Sequence, residues 1–521
     1  MEFKTHSNPL KHLREEHLIF FLFLVSTSIF VFQHAAYFSW DFHSYVLNAK
    51  YWFANGNYFE PLRPPLMPFL VGVFSIFGWR ASEFVFIIFV SFLFMYSSVR
   101  LARALGFNAL AFYALSLNAY VFSVGLVNGT ELLAFVFLEL FVSFLIEDNP
   151  LSGLWLGLSA LSRYVALALF PLAFLHLNFK KAFRSLLLFF LILSPWLIYN
   201  YFRFGNFFTS IADLYANNVL YRSYLVQPIR FSHFVNLFNV LFPFFLVGVF
   251  VVSRRLFLKL RFIGRDLRLL KFWRVLRTFK AELLMFFLLF FSVWSYAFTP
   301  AKDLRYLFNL ALPNFYFSYV GLSSIVAWMN FKKRSLVLAS LLVFVLSLCM
   351  FLVNFLVYSY SDGRVYYSVV DKLRELNMSN CSVMSNNWVQ LDYLGIAAEP
   401  APMQALAYKR LEEGKVLILF YHTHGIVEEP AYVQNESFMN SLPIIYKNDS
   451  YIIAGFGSCI SGKIFDYSYV DQIDRNIFEA YGYHINTNPC FLLFGKISIL
   501  ERFCNFVNFK GFKHDEYRIY E

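Results

Sequence analysis

Long apolar runs alternate with short polar and basic breaks over the first 358 residues, a spacing that belongs to membrane helices. The stretch from His17 to Phe38 is long enough to cross a hydrocarbon core of roughly 30 Å. Lys4, Lys11 and Arg14 precede it. It lacks the shorter apolar core and small-residue cleavage site of a leader, so it reads as a signal-anchor. Further spans are predicted at 83–104, 107–125, 129–147, 151–165, 166–177, 183–201, 233–253, 281–298, 304–329 and 335–358. Within 151–177, two short helices and one long one both fit the pattern. The run from Pro65 to Gly78 is apolar but short, and predicts an interfacial or re-entrant helix.

From Tyr360 onward the pattern changes. Asp, Asn, Ser and Gly become frequent, and apolar runs shrink to strand length at Lys415–Tyr421, Tyr451–Ala454 and Phe491–Phe494. The expected fold class is therefore a polytopic α-helical membrane protein of about 11 transmembrane helices with a C-terminal extracytoplasmic α/β domain. Its divisions are a transmembrane domain at 1–358, with a first external loop at 39–82, and an α/β domain at 359–521.

Composition agrees with this class. Hydrophobic residues make up 59% of the 521, phenylalanine alone numbers 69, and charged residues are only 15%. That excludes disorder, a collagen-like repeat and a small disulfide scaffold. The formal charge of +11 is concentrated: between Arg254 and Lys280 ten Lys/Arg stand against the single acid Asp266. Because this cluster lies between apolar spans, its expected partner is an anionic lipid surface and not nucleic acid. Arg100 and Arg103, then Lys180, Lys181 and Arg184, the 254–280 loop, and Lys332, Lys333 and Arg334 all fall on the N-terminal side. Lys/Arg bias sets orientation, so that side is expected to be cytoplasmic, with the 39–82 loop and the C-terminal domain outside. Sequons at Asn377, Asn380, Asn435 and Asn448 fit an outside location, as do four of the five cysteines (Cys381, Cys459, Cys490, Cys504). Their spacing assigns no pairing.

The candidate chemistry lies in the external segments. Asp41 follows the first span in Ser39-Trp-Asp-Phe-His-Ser-Tyr45. Tyr45, Asn48, Ala49 and Trp52 continue an amphipathic helix that Asn55-Gly-Asn57 breaks. Glu60-Pro-Leu-Arg63-Pro-Pro-Leu-Met-Pro68 then leads into the short apolar helix. As a bland alternative, Asp41 is a solvated loop acid. Elsewhere stand Asn128-Gly-Thr-Glu131, Leu154-Trp-Leu-Gly-Leu-Ser-Ala-Leu-Ser-Arg163, Ser194-Pro-Trp-Leu-Ile-Tyr-Asn-Tyr-Phe-Arg203-Phe-Gly-Asn206 and Asp303-Leu-Arg305-Tyr306.

In this order and on a common face, these pieces resemble the GT-C glycosyltransferases. That superfamily includes the protein O-mannosyltransferases and the lipid A aminoarabinose transferases, and it uses polyprenyl-phosphate sugars. The resemblance covers about residues 17–330. It implies transfer of a hexose or pentose from a dolichyl- or undecaprenyl-phosphate donor to a hydroxyl of a protein, glycan or lipid acceptor, with inversion. Asp41 would be the catalytic base. Arg63, Arg163, Arg203 and Arg305 would be candidates for the phosphate, because a guanidinium offers a planar, permanently charged fork. Each has a plainer reading as an anchor near a span end. Glu131 would hold the sugar or orient the acceptor, or simply be an acid favoured at a helix N-terminus. Tyr45 and Tyr306 would line the site.

The motifs specify no cofactor, and a divalent metal is compatible with them. His422-Thr-His424 has a spacing seen at metal sites but offers only two ligands. Two alternatives remain. Oligosaccharyltransferases share the membrane fold, and Asn387-Trp388-Val-Gln-Leu-Asp392-Tyr393-Leu-Gly395 holds the ingredients of their Trp-Trp-Asp-Tyr-Gly signature without its contiguity. A transporter or flippase of lipid-linked sugars would place ionisable groups at mid-membrane, where Glu139 is the one example.

Overall fold

The structure is a computed structural model. It describes residues 9–56, 58–176, 178–215, 227–263, 279–300, 302–358, 362–402, 404–421, 435–457 and 459–460. Most of the basic loop, the His422/His424 pair, the expected strand at Phe491–Phe494, Cys490 and Cys504 lie outside the described residues. The chain forms two compact units: residues 1–32, 64–67 and 84–356, and residues 33–63, 68–83 and 357–521.

The helices, in chain order, are α1 (Pro9–Ala36), α2 (Trp40–Ala54), α3 (Leu66–Phe74), α4 (Trp79–Ala104), α5 (Ala109–Ser116), α6 (Ala119–Val124), α7 (Glu131–Ile146) and α8 (Ser152–Ser162). A 3-10 segment (Tyr164–Leu175) leads to α9 (Phe179–Phe204), α10 (Thr209–Tyr215), α11 (Phe231–Phe238), α12 (Phe242–Ile263) and α13 (Lys280–Phe298). A second 3-10 segment (Leu304–Leu310) enters α14 (Ala311–Trp328), and α15 (Lys333–Tyr358) follows. Among the described residues, seven helical stretches are long and apolar enough to span a bilayer, and all seven coincide with expected spans. The other four expected spans are shorter pieces. The 107–125 stretch divides at Asn118, whose side chain accepts from Val121 N and starts α6. The 129–147 stretch is α7, of 16 residues, with a buried body. The 151–177 stretch is two elements joined at Arg163, whose backbone is extended. The Pro65–Gly78 run is α3 with a 3-10 turn, and it exposes Phe69, Val73, Ile76 and Phe77.

Where lipid surrounds a bundle, burial of apolar surface gives helices little reason to associate, and close backbone approach does the work. α12 and α14 meet through Gly248 and Gly321. A Cβ at Gly248 would stand 1.8 Å from Phe317 O, and one at Gly321 would stand 1.9 Å from Phe244 O. α8 and α9 meet in the same way, with Gly153 against the Ser185 carbonyl.

In the second unit, α16 (Asp362–Glu375), α17 (Trp388–Tyr393), α18 (Gln404–Glu412) and α19 (Glu436–Ser441) pack on a five-stranded sheet. The strands are β1 (Val383–Ser385), β2 (Ala398–Pro400), β3 (Val416–Phe420), β4 (Ile444–Lys447) and β5 (Tyr451–Ala454), in the order β2-β1-β3-β5-β4. β1 is parallel to β2 and β3, with Val383 opposite Ala398 and Val416; β5 runs antiparallel to β3 and β4. Val383, Val416 and Ile418 face one core with Trp388 and Leu391 of α17. Met384, Leu417 and Leu419 face the other with Ala407 and Leu411 of α18. Two expected strands are present, as β3 and β5. β1 and β2, of three residues each, are too short to show a period, and β4 is an addition to the expected set. Cys381 and Cys459 form a disulfide that encloses the sheet.

The glycine contacts make a direct prediction. Gly248→Val or Gly321→Val must push two backbones apart, which costs about 1–3 kcal/mol or more. Thermal unfolding of the detergent-solubilised protein should shift down for either variant, and an unchanged midpoint would refute the close packing.

Candidate functional site

α2 begins at Ser39, whose hydroxyl accepts from Phe42 N at 3.4 Å, and this places Asp41 in the first turn. A carboxylate is favoured there by the helix dipole. Asn55, with φ of 52°, ends the helix in the left-handed region. The chain then turns back, and the Asn48 amide clamps the Glu60 backbone from both sides, at 3.0 Å to the carbonyl and 2.8 Å from the N–H. That clamp sets the position of Arg63. Its Nη1 donates to Asp41 Oδ1 at 2.5 Å and its Nε to Glu60 Oε2 at 2.5 Å. Tyr58 donates to the same Glu60 oxygen at 2.8 Å, and the guanidinium lies 5.3 Å from the Tyr45 ring. Asp41 and Arg63 keep only 14% and 13% of their side-chain surface exposed. Burial opposes the Arg63 charge, but the Glu60 carboxylate, with the Tyr45 and Tyr58 phenols, outweighs it and holds the guanidinium above its usual range. The sequence-predicted Asp41, Arg63 and Tyr45 are therefore brought together. Two nitrogens of Arg63 already serve carboxylates.

A second cluster belongs to the first unit. Glu131 opens α7, and Arg163 stands at the break between α8 and its 3-10 segment. Arg163 Nη1 donates to Glu131 Oε1, while Glu131 Oε2 is buried without a partner. The Tyr120 hydroxyl, which donates to Leu304 O at 2.9 Å, lies within electrostatic reach of Arg163, Asp303 and Glu131. Asp303 caps the second 3-10 segment by accepting from Arg305 N at 3.0 Å, and pairs with Arg305 Nε at 3.1 Å. The Arg305 guanidinium lies 5.5 Å from the Tyr306 ring. Arg203 is placed differently, exposed in the last turn of α9 before the left-handed Gly205.

Sequence reasoning missed Glu60, Tyr58 and Tyr120. Glu60 had a signal, an acid three residues before Arg63 in a turn; Tyr120 had none among 33 tyrosines. It also missed how α2 is held. Tyr393 donates to Glu83 Oε1 and accepts from Arg80 Nη1, each at 2.5 Å, and His34 Nε2 lies 2.7 Å from Glu83 Oε2. His43 stacks on the Tyr393 ring with centroids 3.9 Å apart, and burial lowers its pKa. Lys50 lies 5.2 Å from the same ring. Next to it, burial pushes the Asp392 carboxyl up to about 7, with Lys50 opposing.

Two other acids are explained by structure. Glu139 is fully buried in α7, where the Ser97 hydroxyl donates at 2.5 Å and that of Ser98 at 3.0 Å. Asp148 binds His176 Nδ1 at 3.0 Å and Lys181 at 2.8 Å, and His176 Nε2 lies 2.9 Å from Ser152 Oγ. Ser152 has no exposed surface, so this series ties helix ends and offers no nucleophile. Among the described residues no three His, Cys, Asp or Glu side chains are grouped to hold a metal.

No protein-family model matches the chain, and no curated protein matches it in sequence. Its fold is similar to the crystal structure of ArnT from Cupriavidus metallidurans bound to undecaprenyl phosphate. The TM-score is 0.54 at 12% identity, over 83% of this chain and 97% of that one. The chain is thus a polytopic helical membrane protein with an ArnT-like fold and a C-terminal sheet region.

The Asp392 carboxyl supplies a pH test. Its folded pKa of about 7 is above the unfolded value, so the folded state binds the extra proton. Its stability contribution is complete below pH of about 4 and is lost as pH rises through about 7. Asp392→Asn should remove that loss, gaining about 2–4 kcal/mol at pH 8. Unfolding midpoints of the two proteins from pH 4.5 to 8.5 should diverge with rising pH; parallel curves would count against a raised Asp392 carboxyl.

Proposed function

We propose that this protein transfers a sugar from a polyprenyl-phosphate donor to an acceptor hydroxyl on the extracytoplasmic face of the membrane. The observation that carries the reading is Asp41, in the first turn of the first-loop helix and ion-paired with a buried arginine. The ArnT-like fold supports it, since that neighbour was crystallised with undecaprenyl phosphate.

The donor is already activated. The acceptor oxygen attacks the anomeric carbon, the carbon–oxygen bond to phosphate breaks, and the phosphate leaves with the electron pair. The acceptor proton passes to Asp41. A single displacement inverts the configuration at carbon. Arg63, shared with Glu60, orients the Asp41 carboxylate, which is a positioning role. Arg163 and Arg305 are the better candidates for the leaving phosphate, because charge develops there as the bond breaks. Glu131 and Tyr306 stand beside them as candidates for the sugar. Arg203 is the weaker choice, since it is exposed and a cation in a last helical turn is favoured by the helix dipole. The transporter alternative loses its motivation, because Ser97 and Ser98 satisfy Glu139.

Asp41→Asn should be expressed, should bind the lipid donor, and should lose 10²–10⁴-fold in transfer rate, the usual worth of a general base. Arg163→Ala or Arg305→Ala should cost roughly ten- to a hundred-fold through a lost phosphate contact. The assay is radiolabelled sugar transfer by purified protein, with a panel of polyprenyl-phosphate sugars and acceptors. Transfer by Asp41→Asn at the wild-type rate would remove Asp41 as the base, and a wild type that transfers none of the sugars would remove the reading.

The external placement of the second unit is supported by its disulfide, which forms in oxidising compartments. A cysteine at the exposed Asp449 should react with an impermeant maleimide in intact cells, above the parent signal. Labelling that requires lysis would put the domain on the cytoplasmic side.

A further inference from the structure

The sheet of the second unit changes winding direction at its centre. The connection leaving β1 goes through α17 to one face, with Trp388, Val389 and Leu391 in one core. The connection leaving β3 goes to α19 on the other face, where Phe438 and Leu442 join the second core. In open α/β sheets, adjacent strands whose carboxyl ends lead to opposite faces leave a crevice between them, and ligands bind there. The amino ends of the same strands are closed. Ser382 N donates to Ile460 O and Ile460 N to Gly414 O, both at 2.9 Å, and the Cys381–Cys459 disulfide locks this arrangement.

At the carboxyl ends the polar groups behave differently. Asn386 spans the two strands, donating to Phe420 O and accepting from Phe420 N, each at 2.9 Å. Its neighbour Asn387 is only 1% exposed, does not cap α17 with its side chain, and has a buried Nδ2 without a partner. Gln390, one turn further and also 1% exposed, has both Nε2 and Oε1 buried without partners. Native interiors rarely leave buried polar atoms unmade, and each such group calls for a partner. The three atoms are neutral, two amide donors and one amide acceptor. The hydroxyls of an uncharged sugar match both donors and acceptors.

We propose that the carboxyl ends of β1 and β3 carry a second binding site, at which Asn387 and Gln390 hold a neutral saccharide belonging to the acceptor. α17, which carries Gln390, packs on α2, with Trp388 and Trp40 ring centroids 5.6 Å apart, and Asp41 follows Trp40 directly. An acceptor anchored on α17 is thereby tied to the helix that bears the base. Naming the saccharide as the acceptor's rests on the glycosyl-transfer reading; its binding does not.

The test uses the full-length protein in detergent on an array of neutral oligosaccharides of glucose, mannose, galactose and N-acetylglucosamine, with sialylated and phosphorylated counterparts as controls. Wild type should retain at least one neutral series and not need the charged groups. Gln390→Met, which keeps side-chain length without polar atoms, and Asn387→Leu should each weaken that binding by tenfold or more. Neither should lower the unfolding midpoint, because both remove buried atoms that have no partner. Loss of binding together with loss of fold would make the amides structural and overturn the site. Wild type that retains no neutral saccharide overturns it without any variant, as do variants that bind like wild type. If the array signal is present and lost in Gln390→Met while the wild type transfers none of the polyprenyl-phosphate sugars, the transfer reading fails and the saccharide site stands.

Discussion

A peptide group that enters hydrocarbon finds no water, so its N–H and C=O must be paired within the chain. Nearly every element from α1 to α15 follows from this, because in a chain of this composition only helices meet the demand. The same constraint decides where chemistry can sit. Charged side chains are costly along a span and tolerable where the helix stops, since there the backbone is already turned toward polar surroundings. Asp41 lies in the first turn of α2 and Glu131 in the first turn of α7. Arg163 occupies an extended residue between two helical elements, and Asp303 and Arg305 lie at the start of a 3-10 segment. The candidate residues are a set of helix ends.

Each acid at such an end is matched by an arginine, Asp41 with Arg63 and Glu131 with Arg163. Pairing of this kind adds little to stability when complete, because desolvation offsets the attraction, but removing one partner strands the other charge. Its value is geometric. Arg63 is located by an amide clamp from Asn48 and by Glu60, so the Asp41 carboxylate inherits a fixed direction from this network. In Glu131, by contrast, one oxygen is buried without a hydrogen-bond partner.

The second unit works by other means. Its strands are short, and its stability comes from two apolar layers on either side of the sheet, together with a disulfide that ties the end of β5 to the start of β1. Its polar atoms are well used at the amino ends of the strands and left open at the carboxyl ends.

Much of this was legible from the order of residues. Span length and Lys/Arg spacing mark seven long helices within a few residues, because hydrophobic length is a local property. The α2 boundaries could be read from Ser39 and Asn55, and the strands β3 and β5 from their apolar runs. Asp41 and Arg63 stood out as charges in an apolar chain. Which charges meet was not legible. Glu60 became part of the Asp41 network only through the Asn48 clamp, 12 residues away in sequence, and Tyr120 joined Glu131 and Arg163 only because α6 packs against the second 3-10 segment. The chemistry of Arg63 suggests a phosphate ligand, and its two carboxylate partners depend on how the loop folds back. The β1 and β2 strands escaped notice for a related reason: three residues carry no period, and they become strands only by pairing, β1 with β3 and β2 with β1. Local pattern determines elements, because helix and strand formation are governed by near neighbours; the site was decided by contacts between them, which no stretch of sequence contains.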